Sequence, residues 1–374
     1  MLDLEHFMPT HLHFGRGKTN KIGELCIPIG RKALIVTGKN STKATGLLER
    51  TINILQKSGI ESVVFDRVPE NPLTTTVEEG VALFQIEKCD FVIGLGGGSP
   101  IDTAKGIAFM AVNPGNISDY IFGRPGNGAA PVIAIPTTAG TGSEADSLAV
   151  FTNPETCDKK SLKSPYIYPR YAIIDPELMT TLPPHLIAAT GFDALCHAIE
   201  AFIAQGSTPL SDLLALQAIK TISLHLPRVF QNPNDLEAWD EVAFGSTLGG
   251  MVIDRAGVVL VHGLEHPLSG LYNIRHGEGL AALMPACLAF SLPEAQHKLS
   301  LVTQAMGEET DVVAAINKLR KQIGLDFTLS QLGVKASDLD WLTENSLRAT
   351  IKPIQNSPRV PNQQEIKAIY SSCL

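Results

Sequence analysis

Basic charge is in deficit in this chain. Thirty Lys and Arg face 38 Asp and Glu, a formal net charge of −8. No electrostatic footprint for nucleic acid is present, since that would need a basic patch. Cysteines are few and scattered, at Cys26, Cys89, Cys157, Cys196, Cys287 and Cys373, and none forms a CxxC pair. A chain of 374 residues has no need of covalent staples, so reduced thiols in a cytoplasmic protein are expected. Long apolar runs are also missing. No stretch approaches 18 uninterrupted apolar residues, and no membrane span is expected. The first residues carry acids and histidines where a signal peptide has a basic stretch and an apolar core. Repeats and low-complexity tracts are absent.

What is there is globular: 44% hydrophobic and 18% charged residues, enough for two domains of ordinary size. The first half alternates apolar runs with helical segments. Ala33–Val36, Ser62–Phe65, Phe91–Leu95 and Pro131–Pro136 read as strands. Thr45–Gly59, Thr76–Glu87 and Ile101–Val112 read as helices between them. That rhythm implies a mostly parallel sheet with helices on its faces. Beyond Leu182-Pro183-Pro184 the pattern turns helical, with Phe192–Ala204, Ser211–Leu226, Leu236–Ile253, Gly277–Leu292 and Val313–Gly324. The expected organisation is an α/β domain over residues 1–182 and an all-helical domain over 183–374.

The α/β half carries two glycine-rich turns. In FVIGLGGGSPIDTAK (91–105) a strand runs through Gly96, Gly97, Gly98 and Ser99 into a helix. Glycines admit a diphosphate close to the backbone, and the helix start offers free N–H groups and the positive dipole end. A tight turn with no ligand is the bland alternative. The spacing is not GxGxxG, so an ordinary Rossmann fingerprint is not claimed. A second segment, PTTAGTGSE (136–144), also follows a strand, and its Thr137 and Thr138 suit the other half of a dinucleotide. After the first strand, VTGKNSTKATG (36–46) offers Gly38, Lys39, Asn40, Ser41 and Lys43 but no acid. A carboxylate there would hold the ribose 2′-OH of NAD. Small residues, a hydroxyl and two lysines suit a 2′-phosphate better, and a solvated basic loop is the alternative.

The helical half carries the metal-type residues. In TGFDALCHAIE (190–200), Asp193 and His197 are four apart and share a helix face. Alone, they read equally as a structural hydrogen bond. In VHGLEHPLSGLYNIRHGEG (261–279), His262 and His266 are four apart and His276 follows ten later. Three histidines so close in an apolar, glycine-rich setting are hard to explain as packing. One carboxylate with two or three imidazoles suits Fe(II), Zn(II), Mn(II), Co(II) or Ni(II). With no thiolate, a Lewis-acid role in catalysis is favoured over a structural one.

GGGSPIDTAK (96–105), IPTTAGTGSEAD (135–146), DPELMTTLPP (175–184), TGFDALCHAIEAF (190–202) and VHGLEHPLSGLYNIRHGEG (261–279) together resemble the iron-containing (group III) alcohol dehydrogenases, nearly end to end. The resemblance implies a dehydroquinate synthase-like fold with its site between the two domains. It implies an NAD(P)-dependent alcohol dehydrogenase or aldehyde reductase acting on a small alcohol or aldehyde. Asp193, His197, His262 and His276 match the family's metal ligands, for Fe2+ or Zn2+. His266 matches a histidine near substrate and nicotinamide that is often assigned to proton relay, for which an ordinary imidazole pKa is expected. Gly96, Gly97, Gly98 and Ser99 match the pyrophosphate turn, and Thr137 and Thr138 the cofactor-contacting threonines. Lys159 matches a lysine at the cofactor ribose, and Asn71 an asparagine of the cofactor cleft. A homodimer is the family expectation.

Two departures stand out. NAD-using members commonly carry Asp where this chain has Gly38, which favours NADP(H) over NAD(H). Arg275 stands where many relatives have Pro, next to His276. It would favour an anionic substrate, or else it is a solvated loop residue. Two alternatives to a dehydrogenase remain at this point: a metal-dependent lyase or cyclase of the dehydroquinate synthase type, and a non-catalytic nucleotide-binding protein.

Overall fold

The computed structural model describes residues 4–374, so the first three residues of the N-terminal segment considered above lie outside it. Its strands are β1 (His11–Phe14), β2 (Lys32–Gly38), β3 (Glu61–Val68), β4 (Phe91–Gly96), β5 (Val132–Pro136), β6 (Leu148–Thr152), β7 (Lys159–Lys163) and β8 (Tyr171–Ile174). Six of them form one sheet in the order β1-β8-β5-β4-β2-β3, with every neighbouring pair parallel. β6 and β7 form a separate antiparallel hairpin.

The central strands are apolar along their length because helices cover both faces. Leu34, Val36 and Val92 point into one cluster with Val77, Ile107 and Phe151. The alternate residues Ala33, Ile35, Phe91 and Ile93 point into another with Leu48 and Leu55. β1 escaped the sequence reading because it is a short, half-exposed edge strand with two histidines. β8 escaped it because it is only four residues long. From β2 the chain steps to β3 on one side, then returns past β2 to β4 on the other. The direction of winding therefore reverses between β2 and β4, and a crevice opens beyond their carboxyl ends. Gly38 and Gly96 end those two strands.

The longer helices that cover this sheet are α1 (Leu47–Lys57), α2 (Thr74–Ile86) and α3 (Gly98–Met110). α1 starts later than the expected Thr45 because Gly46 is left-handed, with φ 71°. α3 starts at Gly98 instead of Ile101, so the glycine turn is itself the first turn of the helix.

The second half contains α4 (Pro184–Ile203), α5 (Pro209–Gln231), α6 (Leu236–Ala256), α7 (Leu260–Tyr272), α8 (His276–Ala305), α9 (Val312–Gln322), α10 (Leu339–Ala349) and α11 (Gln363–Ser372). Among the described residues no strand follows β8. Among the described residues α4 is the one single helix long and apolar enough to cross a membrane, and 89% of its apolar window is buried inside the protein. It is the core helix, packed against α5, α6 and α8. α7 carries His262 and His266 one turn apart although Gly263, Pro267 and Gly270 are helix breakers. Pro267 has no N–H for the carbonyl of Gly263. The Thr350 hydroxyl lies 2.6 Å from that carbonyl and satisfies it from outside the helix.

Candidate metal centre and dinucleotide cleft

Three helices converge on Asp193. α4 presents Asp193 and His197 one turn apart, α7 presents His262 in its first turn, and α8 opens on His276. The start of α8 lies hard against α4. A Cβ on Gly277 would sit 2.0 Å from the carbonyl oxygen of Ala189, so only glycine allows the approach. As a result Asp193 Oδ1 lies 3.5 Å from His197 Nε2, 3.4 Å from His262 Nε2 and 3.7 Å from His276 Nε2. The donor atoms of Asp193, His262 and His276 are all within 4.8 Å of one another. His197 stacks on His262 with ring centroids 4.7 Å apart.

Asp193 Oδ1 and His262 Nε2 are buried and have no hydrogen-bond partner among the described residues. Orphaned buried polar atoms are rare in a folded protein and carry a desolvation cost. One carboxylate oxygen and three imidazole nitrogens aimed at a common point fit a divalent cation of the Fe2+ or Zn2+ kind. Asp193 is the charge that holds the set together. Burial would raise its pKa, but His197, His276 and His262 outweigh burial and the value is lowered. Burial would lower His262, yet Glu200 and Asp193 push it up to about 10. Burial takes His197 down to about 4.

Four-residue spacing marks the histidines in the sequence but not the two carboxylates behind them. Glu200 accepts the Nδ1–H of His262, and Glu265 accepts that of His276. Glu200 was findable, because it lies seven residues from Asp193 and three from His197 and so shares their helix face. His266 lies one turn along α7 from His262, its ring 6.1 Å from that of His262 and 5.5 Å from that of His276. Burial, with Lys159 and His276 acting the same way, takes its pKa well below the usual imidazole value. The ordinary imidazole pKa expected for His266 is therefore corrected: the ring is neutral.

A cleft of about 670 Å³ runs from the ends of β2 and β4 to this cluster. Gly38, Ser41, Asn71, Gly96, Gly97, Gly98, Ser99, Thr137 and Thr138 line it together with Asp193, Arg275 and His276. No side chain caps the start of α3, so its first N–H groups face the cleft free. Several expected contacts are otherwise engaged. The Ser99 hydroxyl donates to the carbonyl of Glu70. Lys159 is buried behind the wall, its Nζ donating to Asn71 Oδ1 at 3.1 Å. Lys43, counted above as a 2′-phosphate partner, is ion-paired with Asp66. Arg275 is neither a solvated residue nor a free cation, since Glu70, at 2.8 Å, and Glu278 both pair with it.

The comparisons with known proteins agree with this geometry. Residues 9–176 match the family model for iron-containing alcohol dehydrogenase, and residues 187–374 match its C-terminal model, Fe-containing alcohol dehydrogenase family. The chain is 36% identical to the NAD-dependent methanol dehydrogenase of Bacillus methanolicus, over 98% of this chain and 99% of that protein. It is also 36% identical to the 1,3-propanediol dehydrogenase of Klebsiella pneumoniae, over 98% and 97% of the two chains. The solved alcohol dehydrogenase of an archaeal halo-thermophile from a Red Sea brine pool superposes with a TM-score of 0.97, at 31% identity and with both chains fully covered. Both halves match alcohol dehydrogenases, against the lyase and the non-catalytic readings. The chain belongs to the iron-containing alcohol dehydrogenase family and is a metal-dependent alcohol dehydrogenase or aldehyde reductase, moving a hydride between a nicotinamide dinucleotide and a small alcohol or carbonyl compound.

Proposed function

We propose that this enzyme interconverts a small, uncharged alcohol and its aldehyde, and that it accepts NADP(H) as well as NAD(H). One observation carries the reading: a single cleft joins the glycine turn Gly96–Ser99 to Asp193 and His276. The diphosphate lies on the free N–H groups at the start of α3, and Thr137 and Thr138 line the neighbouring wall. Asn71, held from behind by Lys159 and bonded to Asn273 at 2.8 Å, fixes the middle of the cleft. Asp193, His197, His262 and His276 hold the divalent ion, which when bound supplies Lewis acidity toward the substrate oxygen. His266, neutral and beside His276, lends a ring nitrogen to the path by which a proton reaches or leaves that oxygen.

An uncharged substrate follows from Arg275. Its guanidinium already has two carboxylate partners, so little net positive charge faces the cleft. Acceptance of NADP(H) follows from Gly38, where no carboxylate repels a 2′-phosphate. With Lys43 paired to Asp66, the preference for NADP(H) is modest.

Steady-state oxidation of NADH and NADPH is the test, with short aldehydes and with anionic oxo-compounds on metal-loaded protein. Turnover of neutral aldehydes with both dinucleotides is expected. Activity on anionic substrates alone would overturn the substrate reading, and no turnover of NADPH would overturn the Gly38 argument.

A further inference from the structure

Two carboxylates stand behind the candidate ligands. Glu200 on α4 takes the Nδ1–H of His262 on one oxygen. Its other oxygen takes the backbone N–H groups of Val259, Val261 and His262 at 3.2, 2.9 and 3.3 Å. Glu265 on α7 takes the Nδ1–H of His276 on one oxygen and the hydroxyl of Ser269 on the other. Both carboxylates are fully buried, at 0% exposure. Room for Glu265 comes from α8, where a Cβ on Gly279 would lie 2.9 Å from both Cγ and Oε1 of the glutamate. His197 has no such support, its Nδ1 being buried without a partner among the described residues.

A carboxylate on Nδ1 keeps the proton there. The lone pair is left on Nε2, the ring is fixed in place, and the imidazole becomes a better donor. We propose that Glu265 and Glu200 are positioning residues for the metal, each aiming one imidazole Nε2 at Asp193 and each adding a buried negative charge that helps to retain a dication. Asp193, Glu200 and Glu265 then place three carboxylates around one ion, only the first of which reaches it. The inference rests on reading Asp193, His197, His262 and His276 as the ligands.

Co(II) titration of the metal-stripped full chain tests it, read by absorption and by competition with a chelator. Glu265→Gln is expected to weaken Co(II) binding by about 10–100-fold and to alter the visible Co(II) spectrum. Its metal-free form should melt with the wild type. Gly279→Ala, which leaves Glu265 in the sequence but crowds its carboxylate, is expected to weaken binding in the same direction. Asp193→Asn is the control for the ligands themselves. If Asp193→Asn abolishes binding while Glu265→Gln and Gly279→Ala keep the wild-type affinity and spectrum, the positioning role falls and the ligand reading stands. Wild-type binding by Asp193→Asn would overturn both.

Discussion

His266 and His262 sit one turn apart on the same helix, yet the structure gives them different surroundings. His262 has Glu200 behind it and Asp193 in front. His266 has no carboxylate on either ring nitrogen among its hydrogen bonds, and burial keeps it neutral. Substitution should separate them. His266→Ala is expected to lower kcat by about 100-fold with metal content unchanged, whereas His262→Ala should lose the metal itself. Metal analysis beside turnover checks both, and a His266→Ala enzyme with full kcat would remove its role. At the other end of the cleft, Gly38→Asp puts a carboxylate where a 2′-phosphate would lie. It should cut kcat/KM for NADPH by at least about tenfold and spare NADH, as the ratio of the two will show. The histidines were legible because i,i+4 spacing is a local property. Lys43 and Arg275 were misread because Asp66 and Glu70, which pair with them, lie more than twenty residues away and are brought near only by tertiary structure.

At the scale of the element, α7 is a helix against its local sequence. Gly263, Pro267 and Gly270 lower its intrinsic propensity, and it forms because its apolar residues Leu260, Val261, Leu264 and Leu268 are buried in the core of the helical half. The proline's defect is repaired from outside. Thr350 supplies the hydroxyl that the Gly263 carbonyl would otherwise lack. Thr350→Val keeps the shape and removes that donor. It should destabilise the protein by about 1–3 kcal/mol, measured by denaturant unfolding, with metal affinity reduced because His262 rides on this helix. A variant as stable as the wild type would mean that the carbonyl finds another partner. The same contrast separates the readable from the unreadable parts of the fold. β2, β4 and β5 announce themselves as continuous apolar runs, because both of their faces are covered. The edge strand β1 and the short strand β8 are stabilised by partners distant in sequence, and no local signal marks them.

Over the whole molecule, the two ligand sites divide between the two halves of the chain. All four candidate metal ligands lie on α4, α7 and α8, and the diphosphate turn lies between β4 and α3. Contacts between the halves are many: Arg275 to Glu70 at 2.8 Å and Asn71 to Asn273 at 2.8 Å at the cleft, Thr247 to Glu144 at 2.9 Å, Ser147 to Asp254 at 2.8 Å and Arg348 to Asp158 at 2.7 Å elsewhere, with Ala139, Ala172 and Ile174 of the α/β half buried in the core of the helical half. Metal should stabilise the helical half directly, and the α/β half only as far as the two unfold together. At a free-metal concentration 100 times the dissociation constant the gain is about 2.7 kcal/mol. Spread over the unfolding entropy of the full chain, that raises Tm by about 3 °C, and by about 7 °C if the helical half melts alone. Scanning calorimetry of chelated and reloaded protein distinguishes the two. A single transition moving by the smaller amount would mean that these contacts weld the halves into one cooperative unit. Two transitions, with only one moved by metal and the other by added dinucleotide, would mean that each half keeps its own stability and that the cleft is a true hinge line. A Tm indifferent to metal would remove the ion from the buried cluster around Asp193 altogether.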